Sequence, residues 1–360
     1  GKVYKISGDP DNVIFNIDDD GNVTGVEGLD GTIAADFENG IEINGNAVQV
    51  VGDKNNQVSV AASTSNGVSE ISGVNGDSVS LSSIGGANQI ITTSSGTFII
   101  GEKTFVIDGD KNGVTFTLDN NGNITRITGL DGTITGDFSD GIMVNSHYVK
   151  VSGDEENPIT VTATTSDGIS EVTAANGGEV TISSVGGSNK FSTGSDGIFT
   201  FGKKTFEITE SNGVTFELDD NGNVTGVTNL TGNIIIIGTN DAFNFNGNAI
   251  RIGANDTVTI SADSDGTITE IIGLDTFAEG VPSTTTVTAT EKNITVNGSA
   301  ISVNEGTNTN YVLTLDENAT PTQISGLSDG VTVNNAPNMK LVTEGNGTFR
   351  IGGRNYAITG

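Results

Sequence analysis

Four acidic turns carry the residues of this sequence that are best suited to chemistry. Each turn has a carboxylate, a second oxygen-bearing side chain two residues later, and then a glycine. Alternate carboxylate and amide oxygens before a glycine begin calcium-binding loops, because the side chains point at one cation while glycine allows the sharp bend. The candidate Ca2+ ligands are Asp18 and Asp20, Asp119 and Asn121, Asp219 and Asn221, and Asp263 and Asp265.

The same residues are also typical of plain β turns. Asn-Gly and Asp-Gly supply the positive φ angles that tight turns need, and they do so without an ion. The bidentate glutamate that completes an EF-hand loop is absent at its expected offset, and the chain lacks the Gly-Gly-x-Gly-x-Asp repeat of calcium β-rolls. We therefore expect plain turns first, with calcium as the alternative and no other cofactor.

Residues for bond-making chemistry are scarce. The chain has no cysteine and one histidine, His147, so zinc sites and Ser/His/Asp machinery lose their central member. Its 45 acidic residues allow many carboxylate pairs, so no single pair indicates a glycosidase. The sequence predicts no enzyme and no catalytic residue. His147 takes the turn position that Asn46 and Asn248 hold in sister copies, and we expect it to be a surface turn residue.

A short strand motif recurs along the whole chain and would position these turns. Each copy has two apolar residues on either side of one residue of variable chemistry, which predicts one buried face and one face in water. The copies return at alternating long and short intervals, so the repeat unit is a doublet of roughly 100 residues. The pairs are Tyr4/Ile6, Val48/Val50, Phe105/Ile107, Val149/Val151, Phe206/Ile208, Ile250/Ile252, Ile301/Val303 and Tyr356/Ile358.

These repeats predict the fold class and the organisation of the chain. With 34% hydrophobic and 5% aromatic residues, the chain can fill only narrow cores, which favours thin β layers. We predict an all-β, elongated repeat array, a β-solenoid of hairpin-bearing coils, with tandem β-sandwich domains of about 100 residues as the alternative. The predicted doublets are 1–107, which starts within a hairpin, then 108–208, 209–303 and a partial repeat at 304–360.

The net charge of the chain and the phase of its repeats indicate which partners to expect. A formal charge of -30 argues against nucleic acid, which needs clustered Lys and Arg, and no apolar run is long enough to insert into a membrane. The stretch 1–8 has the same phase as 353–360. We therefore expect either further repeats in a longer chain or end-to-end self-association of identical chains.

The hairpins and connectors together resemble a family. Asn-Gly turns at Asn44 and Asn246, the Asp-Gly-x-Ile-Thr strand at 265–269 and the Gly-Leu-Asp-Gly connectors at 28–31 and 129–132 resemble bacterial extracellular β-strand-repeat surface proteins. The resemblance implies an exported structural role at the cell surface: a rigid acidic rod, as a surface filament, sheath or adhesin shaft.

Two other functions stay open at this point. In one, edge loops bind a glycan or a host protein, with the variable segments 85–95 and 186–196 as the places to look. In the other, the chain is a polysaccharide lyase or hydrolase on a β-helix, which would need acidic and basic residues clustered in one groove.

Overall fold

The computed structural model is all-β, and no helix occurs among the residues that it describes. Those residues are 2–359 except for the following positions: 10, 54–56, 76–77, 83–87, 111, 153–157, 175–178, 184–189, 195, 212, 238–241, 253–256, 273–285, 290–292, 297–298, 305–310, 316–320, 335 and 337. The fold class predicted from the repeats, a β-solenoid, is confirmed.

The chain divides into two compact units, the first within Gly1–Thr173. Its strands are short, as expected for a chain rich in turn residues. They are β1 (Lys5–Ser7), β2 (Ile14–Ile17), β3 (Val23–Glu27), β4 (Gly31–Ala35), β5 (Ile41–Ile43), β6 (Asn46–Val51), β7 (Val58–Ser63), β8 (Gly67–Val74), β9 (Ser78–Ser82), β10 (Gln89–Thr92), β11 (Gly96–Ile100), β12 (Lys103–Asp108), β13 (Thr115–Leu118), β14 (Ile124–Thr128), β15 (Gly132–Gly136), β16 (Ile142–Val144), β17 (His147–Ser152), β18 (Ile159–Thr164) and β19 (Gly168–Ala174). The last of them, β19, ends at the boundary between the two units.

The second unit lies within Ala174–Ser183 and Asn189–Gly360. Its described strands repeat the same pattern of hairpins and single strands. They are β20 (Glu179–Ser183), β21 (Lys190–Thr193), β22 (Gly197–Phe201), β23 (Lys204–Thr209), β24 (Thr215–Leu218), β25 (Val224–Thr228), β26 (Gly232–Ile237), β27 (Ala242–Phe245), β28 (Asn248–Arg251), β29 (Thr257–Ala262), β30 (Ile268–Ile272), β31 (Thr286–Ala289), β32 (Asn293–Val296), β33 (Ser299–Asn304), β34 (Tyr311–Leu315), β35 (Pro321–Leu327), β36 (Thr332–Asn334), β37 (Lys340–Thr343), β38 (Gly347–Ile351) and β39 (Arg354–Ile358).

Within each unit the chain passes back and forth between two sheets. In the first unit one sheet pairs β1, β4, β7, β8, β10, β13, β14, β16 and β17 in that order. The other pairs β2, β3, β5, β6, β9, β11, β12, β15 and β18. Hairpin strands are antiparallel. Parallel pairs such as β8 with β10 arise where the chain visits the other sheet for one strand and returns in the same direction.

Successive doublets exchange the two sheets in the first unit. The hairpin β2–β3 belongs to one sheet, and its counterpart β13–β14 belongs to the other. Between them the described strands change sheet seven times, and an odd number of changes leaves the next doublet in the opposite sheet. A motif that recurs in the sequence therefore recurs on alternate sheets.

The core lies between the sheets and is filled by the residues that the alternation placed inside. Val48, Phe105, Val149, Phe206 and Ile250 are at most 1% exposed, so the predicted burial of these apolar pairs is confirmed for the copies within the array. Phenylalanine rings join facing sheets, with Phe105 and Phe116 5.6 Å apart and Phe201 and Phe216 4.8 Å apart between ring centroids. Such tilted pairs add about 0.5–1.5 kcal/mol each beyond area burial.

The last copy of the motif and the first hairpin, β2–β3, differ in burial from their counterparts elsewhere in the chain. Tyr356 and Ile358 in β39 are 48% and 43% exposed, whereas their counterparts Phe206 and Ile208 are almost completely buried. In β2, Ile17 is 61% exposed, although Leu118 in the equivalent place on β13 is 5% exposed. Burial of this face therefore comes from the adjoining coil and does not come from the hairpin itself.

Candidate functional site

All four acidic turns lie at hairpin tips and share one geometry. They connect β2 to β3, β13 to β14, β24 to β25 and β29 to β30, and each hairpin has a one-residue register shift beside its turn. In the first, the Gly21 amide donates to the Asp18 carbonyl at 3.0 Å, and the Asp18 amide donates to the Asn22 carbonyl at 2.9 Å. Gly21 has a φ of 79°, the left-handed value that glycine adopts without a Cβ penalty. The predicted tight turns are confirmed.

The first carboxylate of each tip binds the turn's own backbone. Asp119 Oδ1 accepts the amides of Asn121 at 2.9 Å and Asn123 at 2.8 Å, and Asp119 Oδ2 accepts the Asn123 side-chain amide at 3.1 Å. Asp18, Asp219 and Asp263 make the equivalent backbone contacts at 2.8–3.0 Å. These are Asx turns, in which the side chain replaces a backbone acceptor.

Hydrogen bonding shifts the pKa of three of these carboxylates. The Asn22 side chain and backbone lower the pKa of Asp18 below its ordinary 3.8. The Asn123 backbone and side chain lower the pKa of Asp119, and the Asn223 side chain and backbone lower that of Asp219. Donors aimed at a carboxylate favour its charged form. Hydrogen bonds within the turn therefore stabilise the negative charge of the first carboxylate.

The second candidate ligand of each turn takes a different part. Asp20, Asn121, Asn221 and Asp265 contribute their backbone amides to the first carboxylate, and their side chains are exposed. Among the described residues, no group of three His, Cys, Asp or Glu side chains comes together in a way that could hold a metal ion. The calcium interpretation stays a prediction, and any cation would compete with N–H groups that already occupy the first carboxylate.

A second set of carboxylates links one coil to the next. Asp9 Oδ2 accepts the Asp30 amide at 2.9 Å, and Asp30 Oδ1 accepts the Thr64 amide at 2.7 Å. The Thr64 hydroxyl also donates to Asp30 at 2.9 Å. The next doublet has the same series of hydrogen bonds, formed by Asp110, Asp131 and Thr165 at 2.7–3.2 Å. The Gly-Leu-Asp-Gly repeat marked Asp30 and Asp131, but their threonine partners 34 residues away gave no sequence signal.

Asparagine side chains make the third repeated contact. Asn44 at the β5–β6 turn accepts the Leu29 amide at 3.1 Å and donates to the Leu29 carbonyl at 2.7 Å. Asn246 binds Leu230 in the same way and also donates to the Gly266 carbonyl at 2.8 Å. We call these residues, with Asn145, the asparagine clamps. The leucines they hold are fully buried, so the clamps satisfy backbone groups that water cannot reach.

Asn145 completes the set beside His147. It accepts the amides of Gly129 and Leu130, and it donates to the carbonyls of Leu130 at 2.7 Å and Thr164 at 3.0 Å. His147 is the first residue of β17, directly after this turn, and it is partly exposed; it is therefore a strand residue and not the turn residue that was expected. Its imidazole packs on Gly168, where any larger residue would overlap Nε2.

In the first unit a lysine pairs with two carboxylates of the loop between β15 and β16. Lys103 Nζ lies 2.7 Å from Asp140 Oδ2 and 3.0 Å from Asp137 Oδ2. Partial burial lowers the pKa of Lys103, but hydrogen bonds to Asp140 and Asp137 outweigh it and the pKa is raised overall. The pairing is solvent-accessible, and such ion pairs contribute about 0–1 kcal/mol.

The third doublet carries a polar recess where the earlier doublets have the Asp-to-Thr contact. Thr231 stands in the place of Asp30 and Asp131, so the carboxylate that would reach across is missing. A recess of about 500 Å³ opens there, lined by Asn229, Thr231, Asn246, Ser264 and Asp265, among others. Hydroxyl, amide and carboxylate groups line it, which suits a hydroxyl-bearing ligand.

The structure describes the other candidate segments only in part. The variable stretch 85–95 is described only from residue 88, and 186–196 only from residue 190 and without residue 195, so the remainder lies outside the described residues. Over the part of the chain that is described, no helix has the length and apolar character needed to cross a membrane. Comparison with protein-family models, curated proteins and solved structures yields no match to this chain.

Proposed function

We propose that this chain is a structural repeat protein, a rigid acidic extracellular rod or fibre of the surface-filament, sheath or adhesin-shaft type. One observation carries the proposal: the polar side chains that recur in register form hydrogen bonds with the chain's own backbone. The carboxylates of Asp18, Asp30 and Asp119 each accept backbone amides of their turn or of the next coil. Residues arranged in this way stiffen a scaffold, and within the described part of the chain these carboxylates are engaged by backbone amides.

The packed core of the second unit supports the same function. In the second unit Phe206 contacts Phe201, Phe216 and Phe243 at ring-centroid distances of 5.1–5.9 Å. Each coil is thus packed on its neighbours, and stability in such arrays is a sum over adjacent repeats. The extracellular location rests on the resemblance to bacterial surface repeat proteins and on the acidic composition, which keeps a sheet-rich surface soluble.

Self-association is part of the proposal. The apolar faces of β2 and β39, at Ile17, Tyr356 and Ile358, match faces that are buried elsewhere under another coil. In a longer polypeptide a further coil would cover them. For the chain of 360 residues we propose that a second copy does so end to end, since both faces belong to the same repeat pattern.

Imaging of the native material tests the rod. Negative-stain electron microscopy should show continuous, stiff particles whose length grows with the number of repeats. Flexibly joined beads of about 100 residues would contradict the proposal. Scattering in dilute solution gives an independent measurement of the same property, because a stiff rod and a string of beads differ in the decay at intermediate angles.

A glycan-binding adhesin region is the second candidate, and the recess at Thr231 and Ser264 favours it. A glycan array should then show hits that the variant Ser264→Trp loses, because an indole would fill the recess. Ser65→Trp, at an exposed turn of the first unit, is the matched control and should keep the hits. An array without hits would remove this candidate.

We assign no enzymatic activity to the chain. A lyase or hydrolase would need acidic and basic groups free to act on a substrate, and Lys103, the basic residue with the closest acidic neighbours described above, is bound to Asp137 and Asp140. Turnover of an acidic polysaccharide by the purified chain would contradict this assignment.

A further inference from the structure

Two acidic tips contain a chemically fragile pair of residues. Asn121-Gly122 and Asn221-Gly222 lie at exposed turns. Asparagine followed by glycine is the dipeptide most prone to spontaneous deamidation, because glycine has no Cβ to shield its backbone nitrogen. Exposed pairs of this kind limit the lifetime of a protein that is not replaced.

The reaction uses only the chain and water. The glycine nitrogen loses its proton and attacks the asparagine Cγ, so that an N–Cγ bond forms, the Cγ–Nδ2 bond breaks and ammonia leaves. Water then opens the cyclic imide to aspartate or isoaspartate. Isoaspartate adds a methylene to the main chain, which would break the tight pairing of these hairpins. The reaction therefore requires a free glycine nitrogen and a turn that can change shape.

Both requirements are opposed at these tips. The Gly122 amide donates to the Asp119 carbonyl at 3.1 Å, and the Gly222 amide donates to the Asp219 carbonyl at 2.9 Å. The Asp119 carboxylate binds the backbone amides on both sides of the glycine, at Asn121 and Asn123. The attacking nitrogen thus faces the inside of a turn that one carboxylate braces at two points.

We infer that Asp119 and Asp219 protect the Asn-Gly pairs that follow them from deamidation. The carboxylate acts through the turn: by holding the amides on both sides of the glycine, it keeps the glycine nitrogen bound to the aspartate carbonyl. This gives the recurring aspartates a chemical role that needs no cation. It holds for the chain whether or not the chain forms a fibre.

The other two tips show the same arrangement with a related pair. Asp20-Gly21 and Asp265-Gly266 would isomerise through the same imide with loss of water in place of ammonia. Their glycine amides donate to the carbonyls of Asp18 at 3.0 Å and Asp263 at 2.9 Å. The first aspartate is therefore in the protecting position at all four tips.

The test uses one tip as the control for the other. In Asp119→Ala the brace is lost at Asn121 and kept at Asn221. The folded variant and the parent chain are incubated at mildly alkaline pH, and peptide mapping by mass spectrometry gives the rate at each asparagine. We expect Asn121 to deamidate about fivefold faster in the variant, the factor that corresponds to about 1 kcal/mol. Asn221 should keep its rate.

Further variants separate protection from general stability. Asp119→Asn retains a side-chain oxygen acceptor and should stay close to the parent rate. Asp219→Ala should reverse the pattern, accelerating Asn221 and leaving Asn121 unchanged. An unchanged rate at Asn121 in Asp119→Ala would overturn the inference. Equal acceleration at both asparagines would also overturn it, because loosening of the whole fold would then be the cause.

Discussion

At the scale of the residue, the asparagine clamps show how one side chain can hold two coils. Asn44, Asn145 and Asn246 all have φ angles between 44° and 47°, in the left-handed region that asparagine tolerates better than most residues. This backbone turns the amide toward a buried leucine in the neighbouring connector. The residue type thus satisfies two demands at once, a turn conformation and a pair of buried backbone partners.

Replacing a clamp by glycine separates these two demands. Asn145→Gly keeps the positive φ but removes hydrogen bonds to Leu130 and Thr164. We expect a loss of about 2 kcal/mol in the free energy of unfolding of the first unit, since each hydrogen bond contributes about 1 kcal/mol and buried partners are left unpaired. Urea unfolding measures it.

Ser146→Gly is the matched control for that variant. Ser146 is the next residue in the same turn, is exposed and has a φ of 75°. Glycine relieves strain there, so stability should be equal or slightly higher. If both variants lost the same stability, turn flexibility would explain the effect and the clamp would not.

The tip carboxylates predict a dependence of stability on pH. The pKa values of Asp18 and Asp219 are lowered from 3.8 by hydrogen bonds in the folded state. A lowered pKa contributes stability that is present above the unfolded value and is lost as the pH falls through the folded value. The double variant Asp18→Asn with Asp219→Asn should therefore melt below the parent at neutral pH, and the difference should shrink below about pH 4.

Melting curves between neutral pH and pH 2 measure this difference. The double variant Asp19→Asn with Asp220→Asn removes the same charge from adjacent exposed positions and is the control. Its melting difference from the parent should not follow the acid transition. A difference between parent and tip variant that stays constant down to the lowest pH would contradict the assignment.

At the scale of the element, the same hairpin strand is a core strand or an exposed strand according to its neighbours. Phe206 on β23 and Tyr356 on β39 hold equivalent places, yet one is fully buried and the other is 48% exposed. β23 pairs with β22 and β26, and Phe206 packs on rings from the facing sheet. For β39 the pairing observed is with β38.

This contrast predicts unequal costs for the same change. Phe206→Ala should lower the free energy of unfolding of the second unit by about 3–5 kcal/mol, because a large buried side chain leaves a cavity. Tyr356→Ala should cost less than about 1 kcal/mol in dilute solution. Chemical denaturation with a probe in the second unit compares them, and equal costs would show that Tyr356 is buried in solution.

In the first two doublets, the last glycine of the Gly-Leu-Asp-Gly connector lies very close to the backbone of a neighbouring segment. A Cβ on Gly132 would overlap the Asp108 carbonyl and the Asp110 amide, both of them main-chain atoms that cannot turn aside. Gly31 is in the same position against Ser7 and Asp9. The glycine that ends each Gly-Leu-Asp-Gly connector is therefore required by packing between strands rather than by its own φ.

At the scale of the whole molecule, the proposal of end-to-end assembly leads to a test with surface variants. Ile17→Asp and Tyr356→Asp each place a charge on an exposed apolar face, the first in β2 of the first unit and the second in β39 of the second unit. Both side chains are already exposed, so the fold should survive. We expect each variant to lose the long particles and to sediment as single chains, because the buried contact would have to accept a charge.

Val106→Asp is the control for those variants. Val106 is an apolar residue, 40% exposed, on the outward face of β12. Its side chain lies on the face of β12 opposite to the core-facing Phe105 and Ile107, so assembly should persist. Loss of assembly in Val106→Asp as well would indicate association through the sheet faces, and unchanged assembly in all three would remove the end-to-end contact.

The repeat pattern by itself determined the class of the fold. Alternation at pairs such as Val48/Val50 and Phe105/Ile107 fixed which face is buried, because a strand has a side-chain period of two and a slip of one residue would reverse every member. Asn-Gly and Asp-Gly located the hairpin tips for the same local reason. Both are properties of a few neighbouring residues, so sequence suffices.

Only the tertiary structure decided which contacts join the coils. Asp30 meets Thr64, and Asn145 meets Leu130 and Thr164, across separations that no local pattern encodes. The exchange of sheets between doublets is likewise invisible in the sequence, since it depends on the number of crossings that the packed chain makes. The physical reason is that burial and pairing are set by neighbours in space, and those neighbours exist only once the coils have stacked.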